Sequence, residues 1–201
     1  SKVFISKVKK ELGLNIKVID GEKEAYYGGV AALNLLHDDT FVTVDIGGGS
    51  TEFSFVKNGK IEKSISLNIG TVRIKELYFN KEDIEGARKV ILDNLKKIFD
   101  LGIEIPSKVV GIGGSIRAFS KIVMAKNDYP LDILHGYTYT VKDEVSLFNK
   151  IINARNNDDL KSVGVKKDRF DTIKEGTFIF KTILDELNIK EVVTSGVGVR
   201  E

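Results

Sequence analysis

Three carboxylates, a run of glycines and two hydroxyls make up the chemistry this sequence can offer. Asp45-Ile46-Gly47-Gly48-Gly49-Ser50-Thr51-Glu52 lies between a β-branched apolar run, Phe41 to Val44, and an alternating run, Phe53 to Val56. That pattern predicts a hairpin whose strands are joined by a glycine-rich loop. Gly47, Gly48 and Gly49 have no Cβ to hold a ligand away. Their N–H groups can turn toward a common point, and Ser50 and Thr51 set hydroxyl donors beside them. Such a concavity suits a phosphate. Asp45 and Glu52 flank it, and carboxylates beside a phosphate repel it unless a hydrated Mg²⁺ lies between them. The same residues also fit a plainer description, a tight turn with flanking acids. Glu24, the third carboxylate, falls in the first turn of a predicted helix, where local sequence reads it first as a partner of the helix dipole.

A second glycine group, Gly111-Ile112-Gly113-Gly114-Ser115, follows the short apolar run Lys108 to Gly111 and precedes a helical pattern from Ile116 to Met124. Strand, glycines and helix N-terminus form another anion-competent arrangement, with Gly113, Gly114 and Ser115 as its donors. Close helix–strand packing would use the same glycines. No Gly-Lys-Ser/Thr follows, so this is not a Walker loop, and neither turn has the third glycine of a dinucleotide fingerprint. Ser195-Gly196-Val197-Gly198 makes a third such turn after the strand Glu191 to Thr194.

The elements that must hold these turns read as follows. Phe4, Val8 and Leu12 give an amphipathic helix over 3–12, stopped by Gly13, and a short strand is predicted from Ile16 to Ile19. A helix then runs from Asp20 or Gly21 to Leu36. After the hairpin, Asn58-Gly59 turns the chain into a third strand, Lys60 to Leu67. Gly70-Thr71 opens a helix to Tyr78. Asn80 is the expected cap of a longer helix with the stripe Ile84, Ala87, Ile91, Leu95 and Ile98. Residues 126–168 say least: a loop with Pro130 and His135-Gly136, a helix over about 142–153 and a polar connection. His135 reads as a structural histidine. A last helix spans Arg169 to Leu187. The whole is an α/β layer with a crevice at the carboxyl ends of its strands, where the ligand should be phosphorylated.

Composition narrows the chemistry. The 201 residues hold no cysteine and two histidines, His37 and His135, which excludes disulfides, thiolate catalysis and a cysteine- or histidine-rich metal site. A net charge of +2 argues against a nucleic-acid-coating surface, so an anionic substrate must be met locally. No apolar run approaches the ~20 residues of a membrane span, and the expected location is cytoplasmic.

The ordered motifs resemble the exopolyphosphatase / guanosine pentaphosphate phosphohydrolase (Ppx/GppA) family. They are Gly21-Glu22-Lys23-Glu24-Ala25, Asp45 to Glu52, Leu77-Tyr78-Phe79, Gly111 to Ser115, Leu134-His135-Gly136-Tyr137, Arg169-Phe170-Asp171 and Ser195 to Glu201. Asp20, where the family often has serine, is a small departure. The resemblance implies an α/β, ribonuclease-H-like (actin-like ATPase) domain with a mixed sheet flanked by helices. It gives Asp45 and Glu52 to the metal and the attacking water, and Glu24 the role of general base. Gly47 to Thr51 become a phosphate loop, and Gly113 to Ser115 the segment that nears a nucleotide. It also implies that residues 1–201 form one domain, the second of a two-domain core, because nothing before Asp45 matches the family's first phosphate loop. The implied reaction is hydrolysis of a terminal phosphoanhydride in polyphosphate or guanosine pentaphosphate. A regulatory module that binds guanosine tetraphosphate or polyphosphate, and an actin-like kinase or ATPase, are the alternatives. The implied partners are those phosphorylated ligands and the first domain, with a homodimer as a further arrangement.

Overall fold

A computed structural model describes residues 2–198. Its frame is a six-stranded mixed sheet in the order β3-β2-β1-β4-β6-β5. Strands β1 (Phe41–Ile46), β2 (Thr51–Lys57) and β3 (Lys60–Leu67) form the expected antiparallel meander. β4 (Lys108–Ile112) adds parallel to β1, and β6 (Glu191–Thr194) adds parallel to β4. A short strand, β5 (Thr138–Thr140), pairs antiparallel with β6 at the edge. One antiparallel strand, β2, within a 3-2-1-4 order that parallel β6 and the antiparallel edge strand β5 extend, is the ribonuclease-H-like, actin-like ATPase arrangement that the resemblance implies.

Side chains alternate across a strand, so each face of this sheet has its own cover. Val42, Val44, Ile46, Phe53, Phe55, Val109 and Val192 belong to the main core. That core is completed by α3 (Thr71–Leu77), α4 (Ile84–Phe99), α5 (Gly114–Lys126), α6 (Val145–Ile152) and α8 (Ile173–Glu186). Four residues of the stripe read from sequence, Ala87, Ile91, Leu95 and Ile98, are fully buried on α4, whereas Ile84, in its first turn, is exposed. The opposite face carries Phe41, Val56, Val110, Ile112 and Val193, and α2 (Gly21–Leu35) covers it with Ala32. Ala25, Gly28, Gly29 and Ala32 are the buried residues of α2, so the helix can sit close to the strands. The Ser54 hydroxyl donates to the Ala25 carbonyl at 2.7 Å and ties the helix down.

Several expectations are corrected. Residues 16–19 form no strand: the chain from Gly13 to Asp20 has no regular structure, and no pairing partner on the sheet meets it. Helix α1 (Lys2–Leu12) forms but buries none of its residues. Asn80 lies in a 3₁₀ turn, and Asp83 caps α4 instead, its Oδ1 accepting from Gly86 N–H at 2.8 Å. The last helix begins at Ile173, because Lys167–Arg169 make a separate 3₁₀ turn. Within 126–168, β5 and a helix α7 (Asn157–Ser162) were not predicted; both are too short for a periodic signal. Among the described residues no helix is long and apolar enough to cross a membrane.

Candidate functional site

Asp45 and Glu52 are register partners across the β1–β2 hairpin, and Glu52 is in turn opposite Ser66 on β3. Directly opposed residues share a face, so one row of three polar side chains crosses the carboxyl end of β1 on the side that α2 covers. The first turn of α2 stands over this row, with Gly21 packed on the Ser66 side chain. Asp20 caps that turn, its Oδ1 accepting from Lys23 N–H at 2.8 Å. Capping is therefore done by Asp20, and Glu24 is left exposed at the row's edge. Glu24, Asp45 and Glu52 all line one cleft of about 590 Å³ together with Gly47, Gly113, Gly114 and Gly198.

Glu52 is buried, and its environment opposes ionisation. Desolvation raises its pKa, the charge of Glu24 adds to that, and hydrogen bonds from Ser50 and Ser66 pull the other way. The Ser66 hydroxyl donates to Glu52 Oε1 at 2.8 Å.

The glycine loop itself is used internally more than its composition suggests. Gly47 N–H donates to Ser50 O at 2.9 Å, closing the turn. The carbonyl of Gly47 accepts from Thr71 N–H, and that of Gly48 from Val72 and Arg73 N–H, at 2.9–3.2 Å. These donors are the first N–H groups of α3, which have no partner within their helix. Contact is so close that a Cβ on Gly70 would lie 2.4 Å from the Gly48 backbone. Gly48 and Gly49 do not line the cleft beside Gly47, although their N–H groups donate to nothing among the described residues. Thr51 differs from expectation: it is fully buried, and its hydroxyl donates to Ile69 O at 2.6 Å, away from any ligand.

The second turn is the more open one. Gly113 has φ of +87°, a conformation that L side chains avoid, and a Cβ there would lie 2.2 Å from Asp45 Oδ1. Only glycine lets this turn press against the carboxylate. Gly113 and Gly114 face the cleft at the N-terminus of the 13-residue helix α5. Ser115 does not: its hydroxyl faces α8, 2.6 Å from where a Cβ on Gly176 would stand.

Two cations in the cleft, Arg117 and Arg169, had no role in the sequence reading. Arg117 follows the second glycine turn by three residues, and its Nε donates to Ser195 O at 2.9 Å. Arg169 comes from the 3₁₀ turn before α8, its Nη1 close over Gly114. A signal for Arg117 existed, since a cation one turn into a helix that starts at a strand-end glycine pair points back over that helix N-terminus. Of the third turn, Gly198 lines the cleft, while Val199, Arg200 and Glu201 lie outside the described residues.

Among the described residues no three acidic or histidine side chains converge into a protein-only metal cage. The donor set nevertheless fits Mg²⁺, which takes one or two carboxylates and completes its shell with water and substrate oxygens. Asp45 and Glu52, paired on one face with Glu52 disfavoured as an anion chiefly by burial and further by the charge of Glu24, are the residues that would hold it.

Comparison with known proteins agrees with this fold. A bifunctional 3-dehydroquinate synthase/phosphatase from Fusobacterium nucleatum is 34% identical over 206 residues, which cover 96% of this chain and 30% of that protein. The Ppx/GppA family member from Aquifex aeolicus superimposes with a TM-score of 0.81 at 27% identity, over 99% of this chain and 66% of that one. An exopolyphosphatase from Cytophaga hutchinsonii shares the fold, with a TM-score of 0.80 at 21% identity, over 98% of this chain and 67% of that one. The chain thus spans under a third of the first relative and about two thirds of the solved ones. The model of the Ppx/GppA phosphatase family matches residues 1–201 from end to end, and the chain belongs to that family.

Proposed function

We propose that this chain forms one wall of a metal-assisted phosphohydrolase site that cleaves the terminal phosphoanhydride of inorganic polyphosphate or guanosine pentaphosphate. One observation carries the reading: three carboxylates, two arginines and the glycines of two strand-end turns line a single cleft. Phosphoryl transfer asks for positioning and charge neutralisation more than covalent chemistry, and this cleft supplies both signs of charge at once. Arg117, Arg169 and the N-terminus of α5 receive phosphate oxygens. Asp45 and Glu52 hold Mg²⁺, which when bound offsets negative charge on the phosphates. Glu24, exposed and uncommitted to capping, orients a water and takes its proton.

The opposite wall belongs, on this proposal, to a preceding domain of the same protein. A terminal phosphate held from one side only stays hydrated and is poorly neutralised. Phosphate release by full-length protein from polyphosphate, guanosine pentaphosphate and ATP, measured in parallel with and without Mg²⁺, tests the reading. Release from either of the first two that needs the metal is expected. Tight binding without release would favour the regulatory module, and release from ATP alone an actin-like ATPase.

A further inference from the structure

The peptide that joins Ser195 to Gly196 is gripped on both sides. Its carbonyl accepts from Arg117 Nε at 2.9 Å, and its N–H donates to His135 Nδ1 at 3.1 Å. A peptide unit is planar, so its C=O and N–H point in opposite directions and turn together or not at all. Whatever fixes the N–H fixes the carbonyl, and with it the anchor of Arg117.

The ring that holds the N–H is itself fully committed. Nδ1 receives the Gly196 proton and is an acceptor, so the ring hydrogen resides on Nε2, which donates to Leu35 O at 2.9 Å. His135 thereby spans from the end of α2 to the turn after β6. Gly196 leaves little slack, since a Cβ there would stand 3.1 Å from His135 Cβ. The turn is closed locally by Ser195, whose hydroxyl donates to Val197 O at 2.9 Å and accepts from Val197 N–H at 3.3 Å. Ser195 N–H continues the sheet by donating to Gly111 O at 2.8 Å. None of those bonds sets the plane of the next peptide. That is left to His135 and Arg117.

We infer that His135 is a positioning residue, which sets the Ser195–Gly196 peptide plane and through it aims the Arg117 guanidinium into the cleft. An arginine tethered at Nε keeps its two Nη groups for a ligand and loses the freedom to swing away. The side chain does not touch the cleft and acts wholly through the turn. The consequence for ligand binding rests on the proposed phosphate-binding role of Arg117, but the link from ring to guanidinium does not.

Two substitutions separate the two bonds of the ring. His135→Asn keeps an acceptor near the place of Nδ1, and His135→Gln keeps a donor that reaches toward Leu35 without that acceptor. Hydrogen exchange of Gly196 N–H and Arg117 Nε–H in isotope-labelled protein reads the grip directly. Both should stay slow in wild type and His135→Asn and speed up about tenfold or more in His135→Gln. Tripolyphosphate affinity should fall about tenfold in His135→Gln, stay near wild type in His135→Asn, and show no further loss when His135→Gln is added to Arg117→Ala. If His135→Gln does not fold, a scalar coupling between Gly196 N–H and His135 Nδ1 across their hydrogen bond in wild type stands in for it, and its absence overturns the inference. The inference also fails if Arg117 Nε–H exchange ignores His135→Gln, or if both variants lose the same affinity in step with melting temperature. A wild type that binds no tripolyphosphate refutes the proposed cleft function, and exchange alone then decides the role of His135.

Discussion

The two glycine turns at the carboxyl ends of β1 and β4 look alike in sequence and do different work. In the Gly47–Ser50 turn the backbone is largely spent on the fold, with one N–H closing the turn and two carbonyls capping α3. The Gly113–Gly114 turn instead opens a helix N-terminus onto the cleft and lies hard against Asp45. The richer glycine run is therefore the more structural of the two. Glycine count measures how closely backbone can approach something, and here the first turn's closest neighbour is another piece of backbone, at Gly70.

The largest expected effect falls on the exposed carboxylate of the cleft those turns line. Glu24→Gln should lower phosphate release roughly a hundredfold or more if Glu24 is the base. Its melting should change little, by at most about 1 kcal/mol, because Asp20 performs the capping. Near-wild-type turnover would return Glu24 to a helix-end role and leave the cleft without its water-activating group.

Next in size is a contrast between the turns themselves. Gly113→Ala places a methyl group against Asp45 in a backbone conformation at φ +87°, and should cost about 2 kcal/mol or more. At Gly49 a Cβ would meet nothing within 4 Å, so Gly49→Ala should stay within about 0.5 kcal/mol of wild type. Equal losses in chemical denaturation would erase the distinction drawn between the two turns. Smaller still is Thr51→Val. It removes the donor to Ile69 O and should cost about 1 kcal/mol of stability with turnover unchanged. A fall in turnover without a fall in stability would put the Thr51 hydroxyl back among the phosphate donors.

How far the sequence was legible follows the range of the forces involved. Local signals carried the meander, the α4 stripe and all three strand-end turns, because alternation, periodicity and glycine placement are properties of neighbouring residues. The strand expected at 16–19 failed for the same reason: a β-branched alternation marks a segment fit for a sheet, but pairing needs an edge, and the observed edges are β3 and β5. β5 is three residues long and is recruited by β6, which no local pattern announces. In the site, Glu24, Asp45, Glu52, Gly47, Gly113 and Gly114 were placed together on motif order. Thr51 and Ser115 were not separable from true cleft residues by sequence, since a hydroxyl beside glycine looks the same whether it faces a ligand or a buried carbonyl. Arg117 and Arg169 come 52 residues apart, and only the packing of α5 beside the turn before α8 brings them to one cleft.

The smallest expected effect is on pH dependence, and it tests whether the β1–β2 side of the cleft is the strained one. Burial and the charge of Glu24 raise the pKa of Glu52 above its ordinary 4.5. The sign follows from proton counting. Below about 4.5 the carboxyl is protonated in both the folded and unfolded protein, and it contributes nothing to the difference. Between that value and the raised folded pKa, the folded state holds a proton that the unfolded state has lost, so stability from this group falls as pH rises. Above the folded pKa the loss is complete and constant. Glu52→Gln removes the titration while keeping an oxygen that can accept from Ser66. The variant should therefore gain on wild type as pH rises through that window and hold a constant lead beyond it. Mg²⁺ should shrink the lead by stabilising the ionised wild type, and should do nothing for the variant lacking both carboxylates, Asp45→Asn with Glu52→Gln. Melting curves from pH 4 to pH 8 measure both. A stability difference that does not change with pH would mean that Glu52 ionises unopposed, and the cation role proposed for this row would lose its electrostatic support.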